Sequence, residues 1–439
     1  MTTPAADAKS PQGGWEPRIV AFVCKWCTYA GADLAGMSRM KYAPNVRIVK
    51  LPCSGRIDPL FLLRSFEMGA DGILVSGCHP GDCHYISGNY YARRRWILFR
   101  ELLEAVGVET GRVHFSWVSA AEGAKFVDVV GTVTGAVRAL GPFRGFAPPA
   151  KPRGGAGASR AEARAAASPR SAAPPRGNGP EGPRPEPLIP PAGAEEMRAD
   201  LGAATVRSVL GRRAGRRPGI APAFWAASAE DLARIRYSPA GRPLLVTYLI
   251  RRLREEPEGV FGVIAGPEEV EAIKRLEAES QIDPARLRIY NQEKAAAAPE
   301  KDAVDDPRVP TPGSPAGEKW AFWTAEFSKC FRCNACREVC PLCSCVRCVQ
   351  DKSRPRWIDP SPTPAGNWIW NVTRAFHLAG RCVECGGCEA ACPAGIPLVA
   401  LNRHLARAAE RAFGAEGSAS SERSPLISYR TEDEAPFIL

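Results

Sequence analysis

Residues 330–348 read CFRCNACREVCPLCSCVRC, seven cysteines in nineteen positions. Four of them form Cys330-x2-Cys333-x2-Cys336-x3-Cys340, followed by Pro341. The spacing returns as Cys382-x2-Cys385-x2-Cys388-x3-Cys392, followed by Pro393. Three thiolates two residues apart can wrap a loop round one face of an iron–sulfur cubane. A fourth, just before a proline, points away from that loop and in two-cluster proteins ligates the other cluster. The pattern therefore predicts two [4Fe–4S] clusters with crossed ligand sets. Cys330, Cys333, Cys336 and Cys392 would hold one, and Cys382, Cys385, Cys388 and Cys340 the other. Zinc sites instead favour two C-x2-C pairs far apart in sequence.

The repeat predicts a ferredoxin-type domain at residues 318–412, with 413–439 as a polar tail. Bacterial ferredoxins with this motif have a short gap between the two copies. Here forty-one residues separate Cys340 from Cys382, and they carry Cys343, Cys345 and Cys348. A C-x-C-x2-C loop suits a third cluster, a zinc ion or unligated thiols, and these readings stay open.

The whole chain has 439 residues, enough for two to four domains. No run of eighteen apolar residues occurs, and the start is polar with no apolar leader. The expectation is a cytoplasmic protein without membrane insertion. Structural disulfides are rare in that compartment, so sixteen cysteines point to metal. The net charge of +11 is concentrated in residues 144–217, which hold fourteen Lys/Arg against six Asp/Glu. That segment has one aromatic residue, Phe146, and so offers no platform for stacking bases. Nucleic-acid binding is disfavoured; a basic linker that meets an acidic partner fits better.

Residues 17–143 alternate strand and helix patterns. RIVAFVC, VRIVKLPC, DGILVSGC and RVHFSWVS each read as a buried strand. Amphipathic stretches such as YARRRWILFRELLEAVG lie between them. The alternation predicts a flavodoxin-like parallel sheet with helices on its faces. Cys24, Cys53 and Cys78 each end a predicted strand, on the edge where open α/β sheets bind ligands. Cys27 and Cys83 lie a few residues beyond. Cys78-x4-Cys83 has the spacing of two ligands of a plant-type [2Fe–2S] cluster, and Pro80-Gly81 supplies a tight turn. Cys24-x2-Cys27 alone would also suit a redox dithiol. His79 and His84 are each next to a cysteine, so both could hardly face one iron; a supporting or surface role is expected. Gly72, Gly77 and Gly81 do not form a phosphate loop.

Residues 144–193 are a Pro/Ala/Arg-rich, disordered linker in this reading. Some fifty flexible residues span roughly 40 Å. Residues 194–293 form a middle α/β scaffold domain without cysteine or histidine. PLLVTYLI and GVFGVIA read as its strands, AEDLARIR and PEEVEAIKRLEAES as its helices. Residues 294–317 are a second linker. The fold class is thus α/β: a flavodoxin-like sheet, a middle α/β domain and a two-cluster ferredoxin-type domain.

FVCKWCTYAGAD, LPCSGRIDP and GCHPGDCHY, in that order, resemble the delta subunit of methyl-viologen-reducing hydrogenase over about residues 17–142. The resemblance implies a [2Fe–2S] cluster held by four of Cys24, Cys27, Cys53, Cys78 and Cys83. It also implies partners: a hydrogenase, formate dehydrogenase or other donor, and a heterodisulfide-reductase-like flavoprotein, with flavin on the partner subunits only. KCFRCNACREVCPLCSCVRC and RAFHLAGRCVECGGCEAACPAGIPL resemble dicluster proteins related to the beta subunit of deazaflavin-reducing hydrogenase and formate dehydrogenase. The middle segment is similar to the same proteins through SAEDLARIRYSPAGRPLLVTYLIRRL and ESQIDPARLRIY. It departs from them at Gly266, Pro267, Glu268 and Glu269, where the relatives have a Gly-Cys-Asp-x-x-Arg-like run.

The function expected is an electron-transfer subunit with one [2Fe–2S] and two [4Fe–4S] clusters. It would serve a heterodisulfide-reductase-like complex, whether or not that complex bifurcates electrons at flavin. No Ser–His–Asp set or acid–base pair is apparent, so no catalytic residue is assigned. Two rivals differ in kind. A thiol–disulfide oxidoreductase would use the Cys24/Cys27 dithiol or a cluster at Cys343, Cys345 and Cys348. A zinc-based nucleic-acid module would be colourless and bind with steep salt dependence.

Overall fold

A computed structural model describes residues 15–146, 191–215, 221–237, 243–292, 306–414, 423–435 and 437–439. Most of the expected disordered linker (147–190), residue 293 of the middle domain and residues 294–305 of the second linker lie outside the described residues. Contacts divide the chain into two compact units. One joins the N-terminal part up to Phe146 with residues 304–439 and the short stretch Lys274–Glu279. The other holds residues 147–273 and 280–303.

In the first unit the four apolar runs become β1 (Ile19–Cys24), β2 (Val46–Leu51), β3 (Gly72–Gly77) and β4 (Val113–Trp117). They pair in parallel in the order β2-β1-β3-β4. This is the strand order of a flavodoxin-like sheet, whose switch point lies between β1 and β3. Side chains alternate between its faces. Ile19, Ala21, Val23 and Leu74 pack with Val129, Val133 and Val137 of α4 (Gly123–Leu140). Phe22, Ile73 and Val75 point the other way. They join a core with α2 (Pro59–Glu67) and α3 (Gly88–Ala105). On the first face α1 (Thr28–Met37) also packs against α4, through Ala32, Ala35, Phe126 and Val130.

The second core extends into the C-terminal part. Trp96, Phe99 and Leu102 of α3 share it with residues of three later helices. These are α9 (Ala316–Ser328), α11 (Pro364–His377) and α13 (Leu398–Phe413). Gly107, just after α3, shows why α9 can come so close. Its φ is +88°, and a Cβ there would stand 2.2 Å from the backbone nitrogen of Trp320. Trp323 of α9 donates its indole N–H to the Ala105 carbonyl at 3.1 Å. Residues 366–376 of α11 are all buried, as befits a helix at the centre of a domain. That helix lies within the forty-one residues between the cysteine motifs.

The tail, polar in sequence until its last residues, APFIL, packs down at that apolar end. Leu439 donates its N–H to the Phe115 carbonyl at 3.1 Å and Ile438 bridges β4, covering that edge strand.

In the second unit β5 (Ser208–Arg213), β8 (Phe261–Ala265) and β9 (Leu287–Asn291) pair in parallel. β6 (Ala223–Ala226) and β7 (Ile235–Arg236) run antiparallel to β5. α5 (Ala194–Gly202), α6 (Ala229–Ala233), α7 (Val246–Glu255) and α8 (Pro267–Ala278) up to Ile273 complete the unit. One reading is corrected here: PLLVTYLI is not a strand. Its latter half opens α7, with Val246, Leu249, Ile250 and Leu253 buried at helical spacing. Glu269 is buried. Its carboxylate accepts the Leu245 N–H at 2.9 Å and the Gly266 N–H at 2.8 Å.

No helix among the described residues is long and apolar enough to cross a membrane.

Candidate metal centres

All sixteen cysteines are free, and they gather at two places in the first unit. At the carboxyl edge of the parallel sheet, β1 ends on Cys24, β2 stops two residues before Cys53 and β3 one residue before Cys78. Parallel register brings these strand ends level, with Cys24 abreast of Leu51. The turn at Gly81 (φ +93°) folds Cys83 back. Cys24, Cys53, Cys78 and Cys83 are buried together and Cys27 packs against them. The sulfurs of Cys24, Cys27 and Cys78 lie within 4.8 Å of one another. Those of Cys53 and Cys83 are 3.8 Å apart. The structure thus brings together all five N-terminal cysteines named from sequence.

Crowded, buried thiols interact strongly. A hydrogen bond from Cys78 lowers Cys24 to about 6 against the opposing effect of burial, and the same bond pushes Cys78 up. Burial raises Cys27, and it pushes Cys53 up to about 11 with Cys83 adding to it. Metal binding must displace these protons. Both histidines are engaged elsewhere. His79 Nε2 pairs with Glu122 at 2.7 Å, and the His84 ring stacks on Trp26 at 3.7 Å. The Ser119 N–H and then His79 hold the Glu122 carboxyl down at about 2.

Two supporting residues escaped the sequence reading. Asn89, fully buried, donates to the carbonyls of Cys78 (3.2 Å) and His79 (2.6 Å). Gly88 opens α3 directly against the thiols: a Cβ there would stand 2.3 Å from Cys53 Sγ and 3.3 Å from Cys83 Sγ. The dipeptide Gly-Asn at a helix start was the available signal. It reads as ordinary helix-cap chemistry until the fold places it here.

The second place is the motif repeat. The two loops share a backbone as well as a spacing. Arg332 (φ 55°) and Glu384 (φ 54°) precede the second cysteine of each motif in the left-handed region. Asn334 (φ 62°) and Gly386 (φ 75°) follow it, also left-handed. A non-glycine residue rarely adopts this conformation. Its repetition in sequence-unrelated residues marks a loop curled round something, as in backbone nests for anions. Each third cysteine then sits in a short helix, Cys336 in α10 (Ala335–Glu338) and Cys388 in α12 (Gly387–Ala390). These two helices pack on each other.

The thiols of the two motifs act on one another through their charges. Burial raises Cys336, and Cys330, Cys392 and Cys333 add to it. Burial also raises Cys382, with Cys388, Cys340 and Cys385 adding to it. Burial pushes Cys388 up to about 12, with Cys340, Cys385 and also Cys336 adding to it, so the two motifs lie against each other. Cys340 is lowered to about 6 by a hydrogen bond with Cys343, which is itself raised by the same bond. Cys343 thus lies against Cys340, while Cys345 is exposed and Cys348 half-buried at the start of a short turn.

Polar groups of α11 hold the first loop. Asn367 donates to the Cys330 carbonyl at 2.5 Å, and Arg374 donates to the Cys336 carbonyl at 2.9 Å. They lie seven positions apart, two turns along one helix face. In the second loop the Glu384 N–H reaches Cys382 Sγ at 3.4 Å, and Asn402 Nδ2 lies 4.0 Å from Cys388 Sγ. Such N–H···S bonds favour thiolate and tune an attached cluster.

Known proteins divide the chain in the same way. A family model described as the methyl-viologen-reducing hydrogenase delta subunit matches residues 19–141. Another, described as a 4Fe-4S dicluster domain, matches residues 326–396. The vhc iron-sulfur subunit of the F420-non-reducing hydrogenase from Methanococcus voltae is 50% identical over 128 residues, 29% of this chain and 89% of that one. The corresponding F420-non-reducing hydrogenase iron-sulfur subunit from Archaeoglobus profundus is 49% identical over 130 residues, 30% of this chain and 95% of that one. A longer relative belongs to the ferredoxin:CoB-CoM heterodisulfide reductase of Methanosarcina mazei. One of that enzyme's subunits is 43% identical over 127 residues, which are 29% of this chain but only 16% of that one.

Proposed function

The chain belongs to the family of the methyl-viologen-reducing hydrogenase delta subunit, and from that premise we propose that it passes single electrons along three clusters. It is an electron-transfer iron–sulfur protein of an oxidoreductase complex. The [2Fe–2S] cluster is assigned to four of Cys24, Cys27, Cys53, Cys78 and Cys83. The two [4Fe–4S] clusters are assigned to Cys330, Cys333, Cys336, Cys392 and to Cys382, Cys385, Cys388, Cys340. The carrying observation is that both thiol groups lie in one compact unit with a shared apolar core. A sulfur-rich site with a glycine cradle at Gly88, and a curled loop at each cubane set, fit these groups.

The clusters supply one-electron chemistry; the protein supplies burial, hydrogen bonds and access. Asn89, Asn367 and Arg374 fix the ligand loops through backbone carbonyls. Asn402 and the Glu384 N–H lie beside ligand sulfurs. Cys27 is the least buried of the five N-terminal thiols. Trp26, Tyr85 and the 81%-exposed Ile86 stand on the surface beside that group. Exposed apolar patches of this kind mark protein contacts, which suits an exchange partner. In this reading, which the names of its relatives support, that partner belongs to a hydrogenase or heterodisulfide reductase complex.

The test is iron and acid-labile sulfide on anaerobically purified chain, with EPR after dithionite reduction. About ten irons, with [2Fe–2S] and [4Fe–4S] signals together, are expected. About eight, without a [2Fe–2S] signal, would return the N-terminal cysteines to a dithiol role. Stoichiometric zinc without iron would overturn the reading.

A further inference from the structure

Arg374 is a buried cation placed where the two cubane ligand sets meet. It lies on α11, inside the insertion that separates the motifs, and is 5% exposed. One Nη donates to the Cys336 carbonyl at 2.9 Å. Its Nε is buried and has no hydrogen-bond partner among the described residues. Beyond burial, the thiols whose charge acts on the guanidinium are Cys343 first, then Cys340 and Cys388 of the second set and Cys336 of the first. An arginine is costly to bury without compensating negative charge. The backbone carbonyl provides one hydrogen bond and no charge, and an Nε–H is left over.

We propose that Arg374 is a shared counter-cation for both [4Fe–4S] clusters, raising the reduction potential of each. This rests on the cluster assignment above. Reduction adds one electron to a cluster, [4Fe–4S]2+ to [4Fe–4S]+, with no bond made or broken. The added negative charge is stabilised by a fixed positive charge nearby. Little dielectric screening intervenes in so buried a place. Because the cation neighbours both sets, one side chain lifts both potentials together. Net charge and hydrogen bonding are the levers by which proteins set such potentials. The leftover Nε–H is a donor of the kind that tunes sulfur.

The experiment compares wild type, R374K and R374Q as anaerobic full-length chains, by iron content and EPR-monitored redox titration. Iron content comes first. A wild-type chain without about eight cubane irons would overturn the cluster assignment itself, before any potential is measured. With iron retained, R374Q should shift both [4Fe–4S] clusters negative. At the wild-type midpoint the reduced-to-oxidised ratio should fall about tenfold for each, about 59 mV for one electron. R374K should stay near wild type. Unchanged potentials in R374Q at full iron would reduce Arg374 to a prop for the Cys336 loop. A shift in one cluster alone would remove the shared role. If R374Q fails to retain iron, R374H replaces it. Both midpoints should then rise as pH falls and the imidazole gains its proton; a pH response no larger than that of wild type would overturn the proposal.

Discussion

Arg94 on α3 grips Asp433 across 339 positions of sequence, Nε to Oδ2 at 2.5 Å and Nη2 to Oδ1 at 2.9 Å. The arginine is almost fully buried, its side chain 1% exposed, and it also donates to Ser428 Oγ at 2.8 Å. Asp433→Asn would remove a buried, bidentate anion from this cation, a change that costs up to roughly 3–5 kcal/mol. A lower melting temperature and faster protease cleavage within residues 423–439 are expected. Acid should act in the same direction. Burial pushes the Asp433 carboxyl up, but Arg94 and the Arg430 N–H more than offset it, leaving it below its ordinary value of 3.8. A depressed carboxyl stabilises the fold above its unfolded value and loses that contribution as pH falls through the folded one. The wild-type advantage over Asp433→Asn should therefore shrink below about pH 4. Equal melting temperatures of wild type and Asp433→Asn near pH 7 would show that the pair does not dock the segment.

Gly88→Ala should cost the N-terminal cluster alone. The new Cβ would press on Cys53 Sγ from 2.3 Å. Elsewhere in a helix the same change would help by about 1 kcal/mol, so the fold should survive. Iron should fall by about two per chain, with the [4Fe–4S] EPR signals intact. Retention of the [2Fe–2S] signal would show that Gly88 does not cradle the ligand thiols.

The crossed sets make a prediction about double variants. Cys330→Ser and Cys392→Ser should each lose the same cluster, about four irons, and the pair together should lose no more. Cys330→Ser with Cys340→Ser should lose both cubanes, about eight irons. If Cys330→Ser with Cys392→Ser instead removes eight, the sets are not crossed.

Loading of the N-terminal site should depend steeply on pH. Burial holds Cys53 at about 11 and raises Cys27, and hydrogen bonding raises Cys78, whereas Cys24 is lowered to about 6. Between those two values the empty site still carries several protons, and each must leave as iron binds. Iron retention against a chelator should then rise by more than tenfold per pH unit between pH 6 and 8. A slope near zero would indicate that the ligands are already thiolates in the empty site.

Much of this was legible in the chain itself, for reasons that are local. Four β-rich runs, three of them ending at or near a cysteine, became four parallel strands; β1, β3 and β4 are largely buried, as their apolar character demands, while β2 at the sheet edge is only half-buried. The C-x2-C-x2-C-x3-C-P spacing is set by the reach of a short loop, so it carries cluster geometry without any fold around it. PLLVTYLI was misread where locality fails: a short apolar run suits a strand or a buried helix equally, and only the packing of Val246, Leu249, Ile250 and Leu253 decided.

By itself the sequence determined the ligands on offer, the strands that present them and the repeat that pairs Cys330 with Cys382. Tertiary structure alone decided what surrounds them. The insertion could have been a loop; it is a buried helix whose Asn367 and Arg374 hold the Cys330 and Cys336 carbonyls. Gly88 could have been an ordinary helix start, and Asp433 part of a loose tail. The physical reason is the same in each case. A thiol spacing acts within one short loop. A cradle, a counter-cation or a docking pair exists only when residues far apart in the chain are brought to hydrogen-bonding or contact distance, and that depends on the whole core closing around them.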